Sequence, residues 1–217
     1  MYLVVSATET EMKPLRLALR QQSQAQMLVT GVGPVESAVT LAKHLAASDT
    51  PFQGVINFGV CGAYTETGLG LLDICLARRE IFGDLGICYD NEIGSFDPAD
   101  MVVQTVFDLR SPLTEKAEML LQRQQIHYTA GNFVTVSCVS GTVKRGNYLR
   151  DKYQALCENM EGAALASVCQ QFGVPFGELR CVSNLVEDRD LSRWRLAEAC
   201  EKGAETAFML VNMLTGQ

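Results

Sequence analysis

ENMEGAALASVCQQFGVPFGELRCVSN, residues Glu158–Asn184, is the stretch whose reading decides the fold. Across Met160–Phe172 the spacing of Met160, Ala164 and Val168 predicts a helix with one apolar face. Phe176–Ser183 is a short apolar run of the kind that forms a buried strand, and Asn184 stands at its end. Glu161 lies at the start of the helix beside Met160, Ala163 and Ala164. A carboxylate among apolar neighbours is costly unless something pairs with it. Asn184 could close the strand through an Asx-turn.

The same alternation runs outward through the chain. Tyr2–Ala7 reads as a strand buried on both faces. Thr8 or Thr10 can cap a helix that runs to about Gln22, with Pro14 tolerated near its start. Met27–Thr30 is a strand ending in GVGP, where Pro34 suits a first helical turn. Ala38, Leu41, Ala42 and Leu45 then form one stripe. Gly54–Phe58 is a third strand followed by the glycine-rich GVCGAYTETG, and Leu72–Ala77 a fourth. Asp84–Asp100 reads as an irregular loop, long enough to be functional or to touch a neighbouring subunit. A helix over Leu113–Gln125, a strand over Phe133–Val139 and a last helix over Ser192–Leu214 complete the pattern. Strands alternating with helices, without linker or repeat, predict one α/β domain over residues 1–217.

Composition excludes several classes of function. The 217 residues carry 18 basic and 25 acidic side chains, a net charge of −7, which argues against nucleic-acid or anionic-membrane partners. No apolar run approaches the roughly 18 residues that span a bilayer. MYLVVSATETE lacks the basic start and cleavage site of a signal peptide, so a cytoplasmic protein is expected. The eight cysteines form no CxxC pair and read as small buried hydrophobes of a reducing compartment. With His44 and His127 the only histidines, a metal site is not expected, and neither is a cofactor. GVGPVE has Glu36 where a dinucleotide fingerprint needs its third glycine; no Walker loop and no GxSxG occur.

What remains for chemistry is acidic and amide: Glu9 and Glu11 after the first strand, Glu161, and Asn184. Ligands of open α/β sheets gather outside the carboxyl ends of the strands, so these residues could meet in one crevice. Glu11 could equally serve the helix dipole.

Together VVSATETEM, INFGVCGAY and the Glu158–Asn184 stretch resemble the nucleoside phosphorylase and nucleosidase superfamily. Within it the nearest likeness is to the futalosine hydrolase family, through GDLG (Gly83–Gly86), VSGT (Val139–Thr142) and SNLVEDRDLSRW (Ser183–Trp194). The resemblance implies a three-layer α/β/α domain around a central mixed sheet, and a homo-oligomer; Asp84–Asp100 is the segment expected to close a neighbour's site. It also implies cleavage of a purine riboside, with hypoxanthine released from futalosine in menaquinone biosynthesis. Glu11 would activate water, Glu161 would hold the ribose hydroxyls with Met160 packed beside it, and Asn184 would face the base. Ser183, Val139, Cys61 and Gly62 would line the base site. Arg193, Trp194, Arg195, Lys144 and Arg145 are the candidates for the substrate's 5′ tail. An adenine-releasing or inosine-type nucleosidase, and a nucleoside sensor without turnover, are the alternatives.

Overall fold

The candidate site residues lie on or shortly after strands of one mixed sheet. The computed structural model describes residues 1–19, 25–90, 92–96 and 103–216. The order is β1 (Tyr2–Ser6), α1 (Glu9–Ala18), β2 (Ala25–Val29), α2 (Pro34–Ala47), β3 (Gly54–Tyr64), β4 (Ile74–Phe82), β5 (Ile87–Tyr89) and β6 (Glu92–Gly94). Then follow β7 (Val106–Asp108), α3 (Pro112–Arg123), β8 (Thr129–Thr135), α4 (Val143–Tyr153), β9 (Ala155–Asn159), α5 (Gly162–Phe172), β10 (Phe176–Val186) and α6 (Leu196–Thr215).

β1 lies between β2 and β3, parallel to both, and β3 continues parallel to β10. Beyond β10 the sheet runs antiparallel to β4, then parallel through β8 and β9, and β9 returns antiparallel to β3. The sheet therefore curls until β3, β10, β4, β8 and β9 close on themselves. One core packs α1, α3 and α6 on one face, through Met12, Leu15, Leu121 and Leu210. A second packs α2 and α5 on the other, through Leu41, Leu45, Leu165 and Cys169. Buried on both faces, β1 is apolar throughout save Ser6, as a strand in the middle of a parallel stack must be.

Three departures from the sequence reading bear on the site. GVCGAY is not a turn: β3 runs straight through it to Tyr64, because Cys61, Ala63 and Tyr64 are buried against β9 and β10. α4 and β9, which the pattern did not announce, lie between β8 and α5; α4 buries only Gly146 and Leu149, too thin a stripe to read. Asp84–Asp100 contains the β5–β6 hairpin, tied to α4 where Tyr148 Oη accepts from Ile93 N at 2.7 Å. Position 91 and positions 97–100 of that expected loop lie outside the described residues, as does the expected end of the first helix near Gln22.

Candidate active site

Glu11 is set by the capping box that starts α1. Thr8 Oγ1 accepts from Glu11 N at 3.3 Å, while Glu11 Oε2 accepts from Thr8 N at 2.9 Å and from Thr8 Oγ1 at 2.8 Å. The other oxygen, Oε1, crosses to β3 and accepts from Val60 N at 3.1 Å. It can do so because residue 59 is glycine; a Cβ there would collide with Glu11 Oε1 and Arg180 Nη1. Helix capping and the tie to β3 thus use different oxygens of one buried carboxyl.

Glu161 caps nothing with its side chain, although it sits at the N-cap of α5. Its Oε1 accepts from Gly33 N at 3.0 Å, and its Oε2 is paired with Arg180 Nη2 at 3.3 Å. Gly33 holds a φ of 87°, a left-handed conformation that glycine adopts without strain, and this aims its N–H at the carboxylate. Arg180 is 2% exposed and also donates to Glu178 Oε1 at 2.8 Å and to Val60 O at 3.2 Å. Burial works against its charge, but Glu178, Glu161 and Glu11 outweigh that and push its pKa up. Through this guanidinium the Glu161 carboxylate and the Val60 peptide that binds Glu11 are held in one buried network.

Asn184 lies further along the same strand. β10 pairs Val182 with Cys61 and Asn184 with Gly62, so Ser183 is an extra residue, a β-bulge that re-aims the side chains on either side. Ser183 Oγ lies 3.2 Å from Cys61 O and 2.9 Å from Asn184 Oδ1. The shorter contact orients the amide: Oδ1 accepts from Ser183, and Nδ2 is left as donor, its one acceptor being Leu185 O at 3.3 Å. Val60 and Gly62, the two anchor points on β3, are about 7 Å apart at the rise of a strand.

Asn184 lines a cavity of ≈ 360 Å³ together with Leu71, Ser140, Leu185, Arg189, Arg193 and Trp194. Ser140, from the VSGT segment, is fastened to β9: Glu158 Oε1 accepts from Ser140 N at 2.7 Å and Oε2 from Ser140 Oγ at 2.6 Å. Burial raises the Glu158 pKa although these bonds oppose it. Val139 is exposed and Met160 half-buried.

The five tail candidates are not brought together. Arg193 and Trp194 line the cavity, but Arg193 is paired with Glu187 at 2.7 Å. Arg195 is paired with Glu198 at 2.7 Å, Arg145 with Asp84 at 3.5 Å, and Lys144 is exposed on α4. None of these three lines the cavity wall. Sequence reasoning missed Arg189, whose guanidinium carbon lies 4.9 Å over the Trp194 ring and which has no ion pair among the described residues. It missed Glu158 and Arg180 as well. A signal for the latter existed: Glu178 and Arg180 sit two apart in an apolar strand, hence on one face, where buried opposite charges must pair.

Comparison with known proteins agrees with this architecture. Residues 20–214 match the model of the phosphorylase superfamily. A futalosine hydrolase of Thermus thermophilus is 34% identical over 172 residues, 79% of this chain and 74% of the relative. A 5′-methylthioadenosine/S-adenosylhomocysteine nucleosidase of Staphylococcus aureus is 27% identical over 192 residues, 87% of this chain and 79% of the relative. Among solved structures, a futalosine hydrolase mutant of Helicobacter pylori superposes with a TM-score of 0.86 at 21% identity, covering 98% of both chains. A 5′-methylthioadenosine/S-adenosylhomocysteine nucleosidase of Neisseria meningitidis does so at 0.83 and 19%, again over 98% of both. The chain belongs to the phosphorylase superfamily and, within it, to the futalosine hydrolase family of nucleosidases.

Proposed function

We propose that the protein hydrolyses the N-ribosidic bond of futalosine and releases hypoxanthine. What supports this is Asn184, which lines the cavity, whose Oδ1 accepts from Ser183, and whose Nδ2 has a second N–H beyond the one donated to Leu185 O. A 6-oxopurine offers only acceptors along its ring-nitrogen-7 and 6-oxo edge, which an amide donor matches and an ionised Asp does not. Glu11 orients and deprotonates the attacking water. Glu161 accepts from the ribose 2′ and 3′ hydroxyls with Met160 against the sugar, and its charge favours the oxocarbenium-like cation as the bond breaks. Asn184 stabilises the departing base by hydrogen bonding. Ser183, Cys61, Gly62 and Val139 frame the base.

Water is favoured over phosphate as the nucleophile. The start of α1 presents the buried Glu11 carboxylate, which repels an anion, while Glu9 is paired with Arg16 at 3.2 Å; the buried guanidinium nearby, Arg180, is committed to Glu178, Glu161 and Val60 O. For the acidic 5′ tail, Arg189 is the cation on the cavity wall without an ion pair among the described residues, with Leu71, Leu185 and Trp194 as apolar surface; of the acids on that wall, Glu187 and Asp190 are paired with Arg193 and Asp188 accepts from Val143 N. Homo-oligomer assembly belongs to the same reading, supported by Val32, Val35 and Val39 exposed at and along α2. A cytoplasmic site of action belongs to it too.

The direct test is release of free base from futalosine, inosine and methylthioadenosine, with and without phosphate. Phosphate-independent hypoxanthine release from futalosine is expected; comparable adenine release would remove the Asn184 argument, and tight binding without turnover would leave a sensor. Asn184→Asp is expected to lose about 5–150-fold on 6-oxo substrates, the cost of about 1–3 kcal/mol for mispairing a buried polar edge, and less on 6-amino ones. Arg189→Ala is expected to raise KM for futalosine about tenfold and to leave KM for inosine, which lacks the acid tail, within about twofold. Steady-state kinetics on both substrates reads this out.

A further inference from the structure

Beside Arg180, the partner of Glu161, lie two further carboxyl groups to which the proposed reaction assigns no role. Glu80 on β4 and Glu178 on β10 are 0% and 2% exposed. Glu80 Oε2 accepts from Thr135 Oγ1 at 2.7 Å, and its Oε1 from Asn159 Nδ2 at 2.6 Å. Glu178 Oε1 accepts from Asn57 Nδ2 at 3.0 Å and from Arg180 Nε at 2.8 Å. No donor reaches Glu178 Oε2 if both groups are ionised. That oxygen and Glu80 Oε1 converge on one point, where residue 162 is glycine and a Cβ would collide with both.

We infer that Glu80 and Glu178 share a single proton, and that this pair positions Arg180 so that it grips Glu161. The proton satisfies the otherwise orphaned Glu178 oxygen. It also eases the charge balance, since without it four buried carboxylates, Glu11, Glu80, Glu161 and Glu178, would cluster around one guanidinium. Two carboxyls that share a site cannot both ionise readily. Burial pushes both pKa values up; the charge of Glu178 adds to the rise at Glu80, and Arg180 opposes it at Glu178. The charged groups facing the pair are Arg180 from β10, Glu161 at the start of α5 and, beyond Arg180, Glu11 from α1. Glu80 touches no reacting atom. It acts through Glu178 and Arg180, and so far as it concerns catalysis the inference rests on the function proposed above.

Two of the three tests do not depend on that function. The infrared spectrum of the wild type at neutral pH is expected to contain a protonated-carboxyl carbonyl band that Glu80→Gln removes; a band that is absent, or that persists in the variant, overturns the shared proton. The second test is the pH dependence of thermal stability. An acid whose pKa is raised on folding binds more protons folded than unfolded. Stability therefore falls as pH rises from the ordinary carboxyl range, about 4.3, up to the folded pKa. Glu80→Gln is expected to flatten that slope, and an unchanged slope counts against the pair. The third is activity. Glu80→Ala is expected to lower kcat/KM about tenfold, and Glu80→Gln, whose amide can donate to Glu178 at the cost of the bond from Asn159, to recover part of the loss. Equal losses in the two variants would overturn the positioning role. Loss of the band in a protein that releases no base would leave the pair standing and remove the reaction.

Discussion

Glu11→Gln is expected to lower kcat by about 10²–10⁴-fold, the usual contribution of a positioned general base, while leaving nucleoside affinity within a few-fold. The substitution is nearly isosteric, and its remaining oxygen can still accept from one of the two partners, the Thr8 cap or Val60 N. The helix start therefore persists, and what is lost is proton abstraction from water. Single-turnover release of base measured alongside ligand binding by calorimetry separates the two effects. A variant that binds and turns over like the parent would show that the capping box is the whole role of this carboxyl.

Arg180→Met is expected to cost about 3–5 kcal/mol of stability, because it leaves Glu178 and Glu161 buried without their partner. For a chain of this size about 2–4 °C of melting temperature accompanies each kcal/mol, so a fall on the order of 10 °C is the measurement to make. Most of this is the penalty of uncompensated charge and not the intrinsic worth of the ion pairs. The double variant Arg180→Met with Glu178→Gln is accordingly expected to be more stable than Arg180→Met alone. If the two losses simply add, the charges are not coupled through the buried network.

The elements legible in the sequence are those with a clear period. β1, α2, α5 and β10 carry unbroken apolar runs or full stripes, and their boundaries lie within a few residues of the expected ones. α4 escaped because a polar helix lying on the sheet with two buried residues has almost no period to read. β9 escaped because it is five residues long and ends in buried Glu158 and Asn159, whose side chains are spent on tying segments together. In GVCGAY the glycines suggested a turn. Two of them serve close approach instead, Gly59 to Glu11 and Gly62 to Asn184, within a strand whose direction never changes. Of the site, the oxygen- and amide-bearing groups were visible because they were few. Arg180, Glu158 and the Glu80–Glu178 pair were not, since their partners are brought in by β3, β4, β8 and β9, far away in the chain, and pairing of that kind exists only after folding.

On the function proposed above, the bulge at Ser183 would make selectivity modular. Upstream of it, β10 and β3 run in one register and carry Arg180, which braces the carboxylates; downstream the register has slipped by one, and Asn184 answers to a different set of neighbours. Groups on either side share no direct partner, so changes at the leaving-group end should combine additively with changes at the hydrolytic end. A lineage could then exchange which purine it discards by altering one amide, without rebuilding the apparatus that breaks the bond.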